Sequence, residues 1–223
     1  MLVVTGKPAG KSYEQYCAVA RALDVIGERW TLLVVRELYS GPKRYTDLIA
    51  GIPGISTDML AARLKTLEEN EVAMRRVLPP PAASTVYELT EVGRRLEPVL
   101  RELGTWGLEL LGKRKGEAFR IHWLALPVRT MFRPERSGGP PIVIQFESDG
   151  EAFHARVADG KIETVTGFAE SPDVVFAGDV DTLARASKDK AVAEEAVAKG
   201  KLKMRGTKKD IVRVLEILGI KKT

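Results

Sequence analysis

The side chains with the most reactive chemistry in this sequence are few: one cysteine, Cys17, and two histidines, His122 and His154. One cysteine forms no disulfide within a chain, and histidines 32 positions apart give no metal-ligand spacing. No serine or cysteine pairs with a histidine at a recognised spacing, no glycine loop suits a phosphate, and the carboxylates form no motif. No catalytic residue, metal or cofactor is therefore expected, and the chain does not read as an enzyme. The chemistry that remains is that of hydroxyls and cations. Ser56 and Thr57 open a helical stretch that carries Ala62, Arg63 and Lys65, Lys43 and Arg44 precede it, and Arg75 and Arg76 follow it. Hydroxyls and free N–H groups at a helix start suit a phosphate, guanidinium groups suit phosphates or a guanine edge, and Ala62 offers a methyl for close approach. The plainer alternative pairs Arg63 with a neighbouring glutamate and leaves Lys65 solvated.

These residues need elements to hold them. Val19, Ala22, Leu23 and Ile26 recur at helical spacing, and Gly27 ends that helix. Trp30, Leu33, Val34 and Leu38 repeat the pattern up to Gly41-Pro42, and Tyr45, Leu48 and Ile49 make a short third helix. Ser56 caps a fourth helix with Leu60, Leu64 and Leu67 inward, which puts Asp58, Ala62, Lys65 and Glu69 on the opposite face. Val72–Leu78 and Val86–Leu89 read as strands joined by a Pro/Ala loop, and Thr90 caps a long fifth helix with Leu96, Val99, Leu100, Leu103, Trp106 and Leu110 inward, bent at Pro98. Three short helices, a fourth after a tight turn and then a hairpin make a mainly α, winged helix-turn-helix plan that places the fourth helix in the major groove of double-stranded DNA. Too little of this half remains to cover Val99, Leu103, Trp106 and Leu110, so they suit a dimer seam.

The chain has 223 residues, 44% hydrophobic and 29% charged, with a net charge of +5. Residues 1–115 carry 17 Lys+Arg against 14 Asp+Glu and the remainder 18 against 16, so charge singles out neither half as the nucleic-acid binder. No apolar run reaches the roughly 18 residues of a membrane helix, and the start lacks a signal peptide's apolar core, which implies a cytoplasmic protein with no membrane partner. Gly112–Glu117 is charged and glycine-flanked. The reading is a tail over 1–12, a DNA-binding and dimerisation domain over 13–111, a linker over 112–117 and a second domain over 118–223.

The first half resembles the HxlR family of bacterial regulators. The likeness rests on the run from Cys17 to Trp30, then Leu32–Leu38, Gly41-Pro-Lys-Arg-Tyr45, Pro53-Gly-Ile-Ser56, Arg63–Glu68, and Tyr87-Glu-Leu-Thr90 with Gly93. It implies a transcriptional regulator that acts as a homodimer on a palindromic operator, with terminal helices at the interface. The family's acidic residue and glycine after the fourth helix are replaced by Asn70-Glu71, where Asn70 is expected to supply the left-handed cap. Some relatives sense oxidants or electrophiles through a cysteine placed like Cys17. Arg21, four residues on, is the neighbour that would lower its pKa, and its only cysteine partner would be Cys17 of a second copy. The alternative is a small buried residue beside the interface.

In the second half, Ile142–Phe146, Phe153–Val157, Lys161–Thr166, Asp173–Phe176 and Leu202–Met204 read as strands. Helices follow Asp179, span Ala191–Ala198 and follow Thr207, which makes an α+β sheet with packed helices. Ser171–Gly178, and Gly200–Gly206 leading into a helix, resemble the sterol carrier protein type 2 fold. That resemblance implies an apolar cavity for a small-molecule or lipid effector, with Leu124, Val128, Phe132, Phe146, Phe153, Phe168, Phe176 and Leu183 as candidate lining. The basic run Lys199, Lys201, Lys203, Arg205, Lys208 and Lys209 suits an acidic ligand or a solvated edge. Three functions stay open: a ligand-responsive regulator, a constitutive DNA-binding protein whose second domain is an oligomerisation or interaction module, and a dimeric lipid carrier.

Overall fold

The computed structural model describes residues 12–80, 83–107, 110–112, 114–186 and 190–220. The chain divides into two compact units, Met1–Lys115 and Gly116–Thr223. The expected tail lies almost wholly outside the described residues.

The first unit begins with helices α1 (Ala18–Ile26), α2 (Thr31–Tyr39), α3 (Tyr45–Gly51) and α4 (Thr57–Glu69). A hairpin of β1 (Ala73–Val77) and β2 (Thr85–Leu89) follows, then α5 (Glu91–Arg94) and α6 (Glu97–Gly107). Val34, Val35, Leu48, Leu60, Leu64 and Leu67 are essentially inaccessible to solvent and form the core. Of the apolar stripe read at helical spacing on α1, Ile26 is buried, while Val19 and Leu23 are 67% and 41% exposed. The spacing is helical, but among the described residues that part of the face stays open to solvent.

The junction of α4 with the hairpin also differs from expectation. Asn70 keeps φ at −102°, and Glu71 takes the left-handed value of 56°. Asn70 instead donates its side-chain amide to the Thr66 carbonyl at 2.8 Å, closing the last turn. The long fifth helix is two helices. Thr90 accepts a hydrogen bond from the Gly93 N–H at 3.1 Å and donates to the Glu71 carbonyl, which starts α5. The break falls at Arg95-Leu96, ahead of Pro98, which occupies the second position of α6 where its missing N–H costs nothing. Gly93 is required for packing: a Cβ there would lie 2.0 Å from the Val72 carbonyl oxygen.

The second unit opens with a short 3-10 turn and α7 (Ala125–Met131), a helix the sequence pattern did not reveal. Then come β3 (Ile142–Ser148), β4 (Glu151–Ala158), β5 (Lys161–Thr166) and β6 (Val174–Gly178), helices α8 (Val180–Ala186) and α9 (Lys190–Ala198), strand β7 (Leu202–Arg205) and α10 (Lys208–Ile217). The sheet order is β5-β4-β3-β6-β7, parallel between β3 and β6 and antiparallel elsewhere. Strand alternation divides the sheet into two faces. Ile142, Ile144, Phe146, Phe153, Ala155, Val157, Val174 and Phe176 cluster with α7, α8 and α10 residues in one core. On the other face, Gln145 accepts from the Ala169 N–H at 2.8 Å and His154 Nδ1 lies 3.0 Å from the Gly167 carbonyl. Those contacts fix the crossing from β5 to β6.

Candidate nucleic-acid interface and apolar cavity

Helix α4 is held at both ends. Ser56 accepts from the Met59 N–H at 3.3 Å, and Tyr45 on α3 donates its hydroxyl to the Thr57 carbonyl at 2.7 Å. Leu60, Leu64 and Leu67 anchor the inner face. Ser56, Thr57, Asp58, Ala61, Ala62, Lys65 and Glu69 stand exposed. Ala61 belongs to this set and was not anticipated, because a 100° step from Ala62 leaves it at the edge of the inner stripe.

Four of the cations around this face, Arg63, Lys65, Arg75 and Arg76, have acidic partners. Arg63 lies 3.4 Å from Glu28, with a side chain only 14% exposed, which matches the glutamate-paired alternative rather than a free guanidinium. Lys65 lies 3.7 Å from Glu69 on the next turn. On the hairpin, Arg75 pairs with Glu68 at 2.8 Å, and Arg76 grips both oxygens of Glu88 at 2.9 and 2.8 Å. Those side-chain hydrogen bonds to Glu68 and Glu88 raise the pKa of Arg75 and Arg76, so both stay charged. Arg44 is exposed and bonds to the Ser84 hydroxyl at 3.2 Å. Lys65–Glu69 is an i,i+4 pair, whereas the partners of Arg63, Arg75, Arg76 and Arg44 lie 7 to 40 positions away, beyond what helical spacing reveals.

Lys43 is a correction. Its backbone bridges to Tyr87, with N–H to carbonyl distances of 2.9 and 2.8 Å in the two directions. That bridge draws the residue inward, to 6% exposure. Burial pulls its pKa down, and the charges of Glu37 and Asp47 oppose that. Lys43 belongs to a buried charged group with Arg36 and Glu37, whose side chains meet at 2.9 Å, and not to the phosphate-facing set.

The four seam candidates are all exposed: Val99 at 45%, Leu103 at 44%, Trp106 at 62% and Leu110 at 68%. Leu100 is the buried residue of α6, so most of the stripe expected inward faces solvent. Val19 and Leu23 of α1 add to the exposed apolar surface. Cys17 is exposed at the N-cap of α1, not buried. Backbone N–H groups of Ala20 and Val19 in the first turn lower its pKa, which is the effect of a helix N-terminus on a thiolate. Arg21, expected to do this, is engaged with Asp24 at 3.5 Å.

In the second unit a cavity of about 370 Å³ lies between the inner sheet face and the helices. Leu124, Val128, Phe146, Phe176 and Leu183 line it, five of the eight expected residues. Phe153 stacks on Phe146 at 4.8 Å and is fully enclosed, and Phe132 is packed in the core, so both support the wall without reaching the space. Phe168 is 58% exposed. It lies outside the cavity because Gly167, at φ 107°, ends the strand alternation just before it. The lining that sequence reasoning missed comes mainly from Met131 of the unseen α7 and from α9 and α10, helices that were legible in the sequence but not as cavity wall. Among the described residues, no three acidic, histidine or cysteine side chains gather as a metal site, and no helix is long and apolar enough to cross a membrane.

Comparison with known proteins agrees with this division of the chain. Residues 25–115 match the HxlR-like helix-turn-helix family, and residues 135–212 match the SCP-2 sterol transfer family. The chain is 44% identical over 85 residues to the HTH-type transcriptional regulator YodB of Bacillus subtilis (strain 168), covering 38% of this chain and 76% of that protein. This chain belongs to the HxlR-like helix-turn-helix family. It is a transcriptional regulator of this DNA-binding type that carries an SCP-2 domain. It is also 36% identical over 89 residues to YvaP of Bacillus subtilis (strain 168), named an uncharacterized HTH-type transcriptional regulator, covering 40% of this chain and 82% of that one. A solved structure of the reduced form of YodB from Bacillus subtilis aligns at 37% identity and TM-score 0.39, over 45% of this chain and all of that one.

Proposed function

We propose that this HxlR-like regulator acts as a homodimer on a palindromic operator, and that an apolar small molecule held in the SCP-2 domain adjusts its affinity for DNA. The observation that carries the reading is the apolar cavity of about 370 Å³ in a chain whose other unit is a DNA-binding domain. A ligand there regulates only if its affinity differs between the DNA-bound and free forms. Val99, Leu103, Trp106 and Leu110, with Val19 and Leu23, supply the dimer surface. Thr57, Ala62, Lys65, Arg44, Arg75 and Arg76 supply the DNA face, with Ser56 setting the helix start and Arg63 braced by Glu28.

The test begins with solvent extraction of freshly purified protein and mass spectrometry of the extract. Duplexes selected from a random pool then supply the operator. A two-fold symmetric sequence whose affinity changes when the extracted compound is added supports the reading. A compound that binds with no effect on DNA affinity removes the effector role and leaves the SCP-2 unit as a carrier or interaction module. The variant Ala186→Leu, which narrows the cavity, is expected to abolish both binding and response.

A second reading is favoured by Cys17. An exposed thiol with its pKa lowered at a helix N-terminus is suited to reaction with oxidants or electrophiles. It is compatible with the first, since the two inputs lie in different units.

A further inference from the structure

Four inward residues stand in one line across the sheet. Phe153 of β4 is paired in register with Phe146 of β3, Phe146 with Phe176 of β6, and Phe176 with Met204 of β7. The ring centroids lie 4.8 and 5.2 Å apart, with 8° and 11° between planes. Those distances are close to the spacing of about 4.7–4.9 Å between neighbouring strands. The rings are therefore stacked along the sheet and stand upright on it. Phe146 and Phe176, which line the cavity, turn C–H edges toward it. An aromatic edge carries the positive part of the ring's quadrupole and prefers the electron-rich face of another ring. Met204 continues the row, Met131 of α7 adds a second thioether to the lining, and sulfur also packs favourably against aromatic rings. Ring edges and thioethers together match an aromatic group better than a saturated one.

Charge and size narrow the occupant further. Among the described lining residues the side chains are hydrocarbon or thioether except Glu194, which is exposed and already engaged in a contact of its own. An ionised ligand group enclosed there gives up its hydration without gaining a partner. At 370 Å³ the cavity is near the small end of ligand sites, which run from about 300 to 1,000 Å³. Packed to interior density it takes roughly two rings with a short substituent, less than a sterol with its side chain.

We propose that the cavity selects a compact, uncharged aromatic compound, one ring of which lies with its face over the edges of Phe146 and Phe176 and beside the Met204 thioether. This inference rests on the cavity reading given above and names the class of ligand for it.

The experiment uses the full chain and three probes on one two-ring skeleton. They are para-phenylbenzyl alcohol, which is aromatic and neutral, its fully hydrogenated trans counterpart, with cyclohexane in place of both benzene rings, and para-phenylbenzoate, which is anionic. Affinities are measured by calorimetry. The hydrogenated alcohol exposes at least as much apolar area, so a cavity that sorts by hydrophobicity alone binds it at least as tightly as the aromatic one. The expected result is about three- to tenfold tighter binding of the aromatic alcohol than of the hydrogenated one, the range of an edge-to-face contact, and binding of the benzoate at least about tenfold weaker. Phe176→Leu should bring the aromatic preference close to one. Met204→Leu, which conserves volume and tests the same row if Phe176→Leu fails to fold, should lower it about twofold. Equal or tighter binding of the hydrogenated alcohol by the native protein, or an unchanged preference in a folded variant, overturns the aromatic assignment. A benzoate bound as tightly as the aromatic alcohol overturns the uncharged one. Each of these leaves the cavity reading in place, whereas binding of none of the three overturns both.

Discussion

Trp106→Ala tests whether the exposed face of α6 is a dimer seam. Trp106 is 62% exposed, and a tryptophan buries up to about 250 Å² when enclosed, so roughly 150 Å² is open to a second copy. At about 25 cal/mol per Å² that area is worth about 4 kcal/mol if wholly covered. Alanine retains its Cβ, and seam residues are rarely covered completely, so about 2 kcal/mol per copy is the working figure. Two-fold symmetry removes the contact twice, about 4 kcal/mol in all, or close to a thousandfold in the dimer dissociation constant. Sedimentation equilibrium across a dilution series reads this directly. The circular dichroism spectrum should not change, because Leu100 and not Trp106 anchors α6 in its own unit. A dissociation constant that rises less than tenfold would refute the seam assignment and leave this apolar surface without a self-partner.

Three further outcomes follow from the geometry. Glu88→Gln frees Arg76 from a two-pronged partner, so operator affinity should rise a few-fold, and the salt dependence should steepen by up to about 0.9 in log–log slope, as one more phosphate contact requires. An unchanged slope would place Arg76 off the DNA. Gly93→Ala drives a Cβ against the Val72 carbonyl at 2.0 Å, backbone that cannot step aside, and should cost about 3 kcal/mol, the upper end of overpacking penalties, seen as a fall of about 10 °C or more in Tm. A thermal melt within 2 °C or so of the native protein would show that the α5 packing yields more than this geometry allows. For Cys17, the thiolate is the reactive form and its pKa is lowered in the folded chain. The rate of iodoacetamide alkylation should therefore climb at lower pH than for the same cysteine in unfolded protein, and coincident pH profiles would remove the helix-terminus effect.

Which residues share an element was legible in the sequence; which residues meet across elements was not. The leucine spacing of α4 predicted its inner face, and the sterol-carrier resemblance implied Phe146 and Phe176 as cavity lining, where their side of the sheet places them. Phe168 failed because alternation holds only while the strand continues, and Gly167 at φ 107° ends it. Lys43 read as a cation beside a helix start, yet its backbone bridge to Tyr87, 44 positions later, buries it. The apolar stripe of α1 and most of that of α6 were recognised by period alone. Period does not say whether an apolar face meets its own domain or another chain, so Val19 and Leu23 were read only as a helical stripe, while Leu103 and Trp106 were assigned both ways. The acidic partners of Arg75 and Arg76 were invisible for the same reason, since Glu68 meets Arg75 through the fold of the hairpin onto α4 and Glu88 meets Arg76 across the pairing of β1 with β2, not through sequence spacing.

The size of the cavity also limits how it can regulate. Filled to interior packing density, about 370 Å³ holds on the order of 15–20 non-hydrogen atoms, which at a drug-like value of about 0.3 kcal/mol per atom bind with about 4.5–6 kcal/mol in total. Turning a DNA-bound population from 99:1 to 1:99 requires about 5.5 kcal/mol of difference between the two states. Nearly all of the ligand's binding energy would then have to exist in one state and vanish in the other. The cavity walls are formed by a sheet and four helices of one unit, so much of the contact persists in both states. Coupling should therefore fall in the usual range of about 1–3 kcal/mol, a 5- to 150-fold change in operator affinity at saturation. Operator titrations at increasing ligand should shift and then stop shifting, the plateau giving the coupling itself. A shift that keeps growing beyond about a thousandfold would mean that ligand binding disrupts the dimer or the fold, and would refute regulation by a modest bias of a packed domain.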